Sequence, residues 1–192
     1  MFKVLLSVLF ILSTASSLWA NDCIDCHVKK QSQIVKDWEL SKHSKNEVDC
    51  ATCHGAGGRG AAGYPTLADD VWLWDGTLDG IEYTLRHGIR HEGDLDTRFS
   101  LMPSFGRDSL LSTDEIDDLT DLVLRLSGQA HDSDAAERAS ELYQLQCASC
   151  HGENGQGDRM QGAPNLTDQE WLFGGSRDDI YNTIYNARNS HM

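Results

Sequence analysis

Three short runs constrain this chain more than any other feature: Cys23-Ile24-Asp25-Cys26-His27, Cys50-Ala51-Thr52-Cys53-His54 and Cys147-Ala148-Ser149-Cys150-His151. Two cysteines three apart, with histidine directly after the second, can form two thioether bonds to one porphyrin and present an imidazole to its iron. All six cysteines are used in these motifs, so none remains for a disulfide or a nucleophilic thiol. Zinc knuckles and dithiol redox pairs also use C-x-x-C, but neither requires the histidine. Histidine is 8 of 192 residues, so its presence behind all three pairs by chance has a probability of roughly 10⁻⁴. The cofactor expectation is therefore three covalently bound haem c groups.

A chain of this length must use three porphyrins as much of its core. Gly is frequent and β-branched alternation is absent, which predicts helices joined by irregular loops. Lys3, the apolar run from Val4 to Leu12 and the small, polar stretch ending Leu18-Trp19-Ala20 read as an export signal cleaved after Ala20. An uncleaved membrane anchor is the competing reading of residues 4–20. Haem attachment in bacteria takes place outside the cytoplasm, so a periplasmic location, soluble or peripheral to the inner membrane, follows. The formal net charge is −14, and loss of Lys3 with the leader makes it −15. That excludes nucleic acid as a partner and favours basic docking faces on other redox proteins.

Residues 21–49 form a small one-haem module. It has no methionine, and His43 is the nearby histidine outside a haem motif, which makes His27 and His43 the expected axial pair. A surface position for His43, with the sixth ligand supplied elsewhere, stays open. Residues 50–128 read as a first cytochrome domain: the motif, a glycine-rich loop from Gly55 to Gly63, Trp72 and Trp74 as core or haem-contacting aromatics, and a helix from about Leu78 to His87. Met102, before Pro103, is the expected ligand opposite His54, with His87 and His91 as weaker candidates. Ser112 and Glu115 form a capping box before the stripe Ile116, Leu119, Leu122, Val123 and Leu126, and Gly128 ends that helix. Residues 129–146 are a polar linker followed by a helix from Asp134 into the third motif, and 147–192 are a second cytochrome domain.

That second domain repeats the first. Residues 147–184 follow residues 50–85, with Gly155 and Gly157 on Gly58 and Gly60, Pro164 on Pro65 after a two-residue insertion, Ile180 on Ile81 and Thr183 on Thr84. Met192 takes the place of Met102 once nine or so extra residues around His91 to Arg98 are allowed for, and is the expected ligand opposite His151. The repeat stops at its methionine, so the second domain is expected to be C-terminally truncated. The fold class is mainly α: two cytochrome c-like helical domains, the second incomplete, behind a one-haem module. With both axial positions filled, an electron can exchange at such a site but no substrate can bind, so the chain is expected to be an electron carrier and not an enzyme. The alternative is a multihaem redox enzyme with an open haem site acting on peroxide or a small nitrogen oxide, for which no proton-delivering constellation stands out.

Two resemblances sharpen this. Trp38-x-x-Ser41-x-His43 followed by Val48-Asp49-Cys50-x-x-Cys53-His54-Gly55 resembles segments of multihaem cytochromes of the hydroxylamine-oxidoreductase kind, in which such a histidine is a haem ligand. Residues 50–192 resemble the dihaem c-type subunit of cbb3-type cytochrome c oxidases. The segments that carry this are Tyr64-Pro65, Trp72-Leu73-Trp74, Thr84-Leu85-Arg86-His87-Gly88-Ile89-Arg90, Asp96-Thr97-Arg98-Phe99-Ser100-x-Met102-Pro103-x-Phe105-Gly106-Arg107-Asp108, and Gly162-Ala163-Pro164-Asn165-Leu166-Thr167-Asp168 with Trp171-Leu172-x-Gly174-Gly175. The resemblance implies two domains that pass electrons from a soluble donor towards a membrane-bound haem-copper centre.

Overall fold

The computed structural model describes residues 48–192, together with 35–36, 38–39 and 45–46. Cys23, Cys26, His27, His43 and the export signal lie outside the described residues. The described residues form helices and loops with no named strand: α1 (Cys50–His54), α2 (Leu78–His87), α3 (Thr113–Leu126), α4 (Ser133–Gln146), α5 (Ala148–His151) and α6 (Arg177–Asn186). Among them no helix is long and apolar enough to cross a membrane.

Each longer helix starts where a short polar side chain can take up an unpaired N–H. Thr77 accepts from Gly80 N–H and Ser176 from Asp179 N–H, at matching places in the two repeats. Ser112 and Glu115 form the full capping box expected from sequence. The helix after the linker begins one residue before the sequence reading. Asp132 accepts from the N–H groups of both Asp134 and Ala135, so Ser133 is already its first turn.

The repeat is reproduced hydrogen bond by hydrogen bond. Gly60 N–H donates to His54 O and Gly157 N–H to His151 O, both at 2.7 Å. Leu67 N–H reaches Gly58 O at 2.7 Å, and Leu166 N–H reaches Gly155 O at 2.6 Å. The two-residue insertion falls in a turn closed by Asp158 and Ala163, where the first repeat has Ala61 and Tyr64. The two repeats also meet reciprocally. Gly63 lies under the Phe173 ring and Gly162 under the Trp74 ring, at equivalent positions in the alignment. Gly162 leaves no room for a methyl group beside that indole.

The buried core lies unevenly. Ile116, Leu119, Leu122 and Val123 of α3 pack with Ala136, Ala139 and Tyr143 of α4, Ile180 and Ile184 of α6, and Phe105. Among the described residues 35–104, Val35 and Trp74 are the buried apolar side chains. The sequence assigns α3 to a first domain ending at Gly128, whereas the structure packs it on α4 and α6 of the second half. Its apolar stripe shows that one face is covered but not by what. A buried carboxylate sets this packing: Asp121 of α3 accepts from Asp132 N–H at the start of α4 at 3.0 Å and from Arg177 of α6 at 2.8 Å.

Candidate functional site

One cavity of about 680 Å³ is lined by both described haem motifs and by Met102 and Met192. Its walls are mainly apolar, with Leu67, Trp72, Trp74, Leu85, Leu166 and Trp171 among them. Trp38 also lines it, its indole donating to Val48 O at 3.1 Å just before the second motif.

α1 and α5 are short because they need only one turn. A single helical turn places cysteines three apart on one side with the histidine beside them. Asp49 caps α1 through Thr52 N–H and Oγ1, both at 2.8 Å. No disulfide links any described cysteine. Burial, with a smaller contribution from Cys150, pushes the Cys147 thiol up to about 11, so it is fully protonated at neutral pH.

The imidazoles are held alike. His54 Nδ1 lies 2.6 Å from Pro65 O and His151 Nδ1 lies 3.0 Å from Pro164 O. A carbonyl only accepts, so each Nδ1 carries a proton and donates it, which leaves Nε2 as the nitrogen that could bind a metal in a neutral ring. Burial lowers the His151 pKa, which keeps that ring neutral. A neutral imidazole oriented by a carbonyl through its other nitrogen is the arrangement of a metal ligand. Paired thiols on one helical face, this free nitrogen, a thioether available from methionine and an apolar cavity together fit a covalently bound porphyrin. The two proline carbonyls were missed from sequence. Pro164 aligned on Pro65 was the signal, but only the fold shows that their oxygens reach the histidines.

A family comparison decides the class of this site. The cytochrome c model matches residues 42–127 and 136–190. The chain belongs to the cytochrome c family. A second model, cytochrome c554 and c-prime, matches residues 11–55 of this cytochrome, the stretch containing Cys23 to His27. It is 46% identical over 161 residues to the cbb3-type cytochrome c oxidase subunit CcoP of Cereibacter sphaeroides, covering 81% of this chain and 56% of that one. It is 47% identical over 168 residues to CcoP of Azospirillum brasilense, covering 84% and 57%. It is 48% identical over 145 residues to the subunit FixP of Azorhizobium caulinodans, covering 75% and 48%. The cytochrome thus spans about half the length of the curated relatives it matches.

The structure brings Cys50, Cys53, His54, Met102, Cys147, Cys150, His151 and Met192 to one cavity, and leaves His87 and His91 off its walls. His87 lies 4.5 Å from the Tyr83 ring at a tilt of 42° and places Nδ1 3.0 Å from Asp94 Oδ2.

Proposed function

We propose that this cytochrome is an exported tri-haem electron carrier that feeds a haem-copper terminal oxidase. The observation that carries the reading is the pair of imidazoles, each fixed through Nδ1 by a proline carbonyl, on one cavity that both described C-x-x-C pairs line. Cys50, Cys53, Cys147 and Cys150 would anchor two porphyrins, with His54 and His151 on one axial side and Met102 and Met192 on the other. Cys23, Cys26, His27 and His43 would hold the third group. Haem, when bound, supplies one-electron exchange at iron. The chain's own residues orient both imidazoles through the proline carbonyls, burial keeps the His151 ring neutral, and the mainly apolar walls would lower the reorganisation that accompanies a change of charge.

The similarity to CcoP and FixP supports an oxidase partner, and the net charge of −14 supports a basic docking face on another redox protein. Methionine in place of a second histidine raises the iron potential, so electrons should run from the His27/His43 haem towards the other two. Mass measurement of the mature protein should show three covalently added porphyrins, and a redox titration should place the bis-histidine centre lowest. Oxidation of the reduced protein by membranes containing a haem-copper oxidase should slow with added salt. Two porphyrins, a highest-potential bis-histidine centre, or no oxidation by such membranes would each remove the corresponding part of the proposal.

A further inference from the structure

We propose that His87, Asp94 and Asp96 form a binding site for a divalent cation of the zinc class, on a loop that the first cytochrome unit carries and the second lacks. None of the three lines the haem cavity, so the site is separate from the one described above.

The loop is an insertion. Residues 89–97 lie between Gly88 and Arg98, where the second repeat runs directly from Ala187 to Arg188. Ile89 and Arg98 close its base. The loop follows His87, the last residue of α2, and the equivalent last residue of α6 is Asn186. The imidazole and the two carboxylates therefore occur together in one unit and are all missing from the other.

The fold brings these three side chains to one point. A ring nitrogen of His87 and one carboxylate oxygen each from Asp94 and Asp96 lie within 4.8 Å of one another. His87 Nδ1 stands 3.0 Å from Asp94 Oδ2, which suits two neighbouring ligands on one ion with bonds of about 2.0–2.1 Å. The groups are also held from behind. Asp96 N–H donates to Asp94 Oδ1 at 2.8 Å, which leaves Oδ2 for the ion, and the Tyr83 hydroxyl donates to Asp96 O at 2.7 Å. Across the same turn His91 N–H donates to Thr97 Oγ1 at 3.0 Å and Asp94 N–H to His91 O at 3.2 Å.

The charges around the site favour a cation. The Asp96 N–H holds the Asp94 carboxyl below its ordinary value, with His87 and His91 assisting and burial opposing, so Asp94 is ionised at neutral pH. The arginines of this region are committed elsewhere: Arg98 to Thr84 Oγ1 and Gly80 O, Arg90 to Ser100 O and Ser190 O, and Arg86 to Glu82. Among the described residues no arginine or lysine pairs with Asp94 or Asp96. The donor set selects the ion, because imidazole suits zinc and its transition-metal neighbours, whereas calcium and magnesium use oxygen ligands. The ion takes the place of the proton that Nδ1 shares with Asp94, and the ring then carries its proton on Nε2. Three protein ligands leave a position for water. Binding ties the tip of the insertion to the end of α2.

The test uses haem-loaded protein and Zn²⁺ as the probe. Equilibrium dialysis with metal analysis should find one Zn²⁺ per chain bound more tightly than the rest, and excess Ca²⁺ should not displace it. His87→Gln and Asp94→Asn should each weaken that binding by about tenfold or more. Glu92→Gln removes a charge from the same loop outside the triad and should leave it unchanged. Equal binding by wild type and His87→Gln, displacement by Ca²⁺, or a loss in Glu92→Gln as large as in Asp94→Asn would overturn the site. A second readout needs no variant to fold: X-ray absorption at the zinc edge of the wild-type complex should show imidazole scattering within an oxygen-rich shell, and a shell without imidazole would overturn the proposal. Zn²⁺ should also raise the melting temperature of the wild type, and an equal rise in His87→Gln would place the ion elsewhere.

Discussion

The two described haem motifs are built alike but supported differently. From motif to second helix the repeats share caps, glycine-loop hydrogen bonds and the proline carbonyl on the histidine. Around the last motif, three helices add an apolar cluster with Ile116 and Ala136 wholly buried. Around Cys50 to His54 the described residues offer Trp74 and the cavity wall. Matching local hydrogen bonds are therefore compatible with very different support: helix packing around the last motif, and among the described residues far less of it around Cys50 to His54.

Hydrogen exchange on chain produced without haem attachment would test that contrast most strongly. Amides of α3, α4 and α6 should stay protected while those of α1 and α2 exchange freely, and equal protection in both halves would break the comparison. Leu119→Ala, deep in the second-half cluster, should cost about 2–5 kcal/mol in denaturant unfolding, with a loss under about 1 kcal/mol showing that the cluster is not the main support. Arg90 donates to Ser100 O at 2.7 Å and to Ser190 O at 2.6 Å, so Arg90→Gln leaves both carbonyls short of a charged donor and should cost about 1–3 kcal/mol. Because Arg90 donates to the carbonyls two residues before Met102 and Met192, the proposed ligands, the variant should also raise carbon monoxide binding at two haems of the reduced protein, and a change at one haem alone would show that Arg90 does not support both segments. Tyr143→Phe removes the 2.8 Å bond to Gly152 O, a support the first motif lacks among its described residues, and should cost about 1 kcal/mol.

The smallest effect concerns acid. Hydrogen bonds from Ser112, first its N–H and then its hydroxyl, hold the Glu115 carboxyl below its ordinary value, and the Ala135 and Asp134 N–H groups do the same for Asp132. A folded-state pKa below the unfolded one adds stability above the unfolded value and loses it as pH falls through the folded one. The melting temperature should therefore hold steady near neutral pH and decline below about pH 4. Asp132→Asn, which keeps a capping oxygen without the titration, should flatten part of that decline.

Much of this was legible in the residues. The C-x-x-C-H runs specify chemistry through covalent spacing alone, and the Ser112/Glu115 box and the Ile116 to Leu126 stripe are local patterns that need no partner to be recognised. The repeat alignment placed Pro164, Ile180, Thr183 and Met192 on their counterparts, because equivalent turns need equivalent residues. The insertion was placed around His91 to Arg98, and the structure puts it at 89–97 by showing that Arg98 bonds Thr84 and Gly80 O where Arg188 bonds the equivalent Thr183 and Asp179 O.

What the sequence determined by itself was where the haem-attachment pattern C-x-x-C-H recurs, about where the main helices start and stop, and that two units repeat. Those properties are encoded within a few residues of one another, in covalent reach, helix caps and hydrophobic period. Only the tertiary structure decided that α3 packs on α4 and α6, that Arg90 serves two strands, and that Met102 bonds past the end of α6 while Met192 pairs with Ile89. A repeat makes its two halves interchangeable as neighbours, so linear order carries no information about which half a segment packs on. The choice falls to burial of an apolar helix face and to the hydrogen-bond partners within reach, as Asn189 for Met102 and Ile89 for Met192.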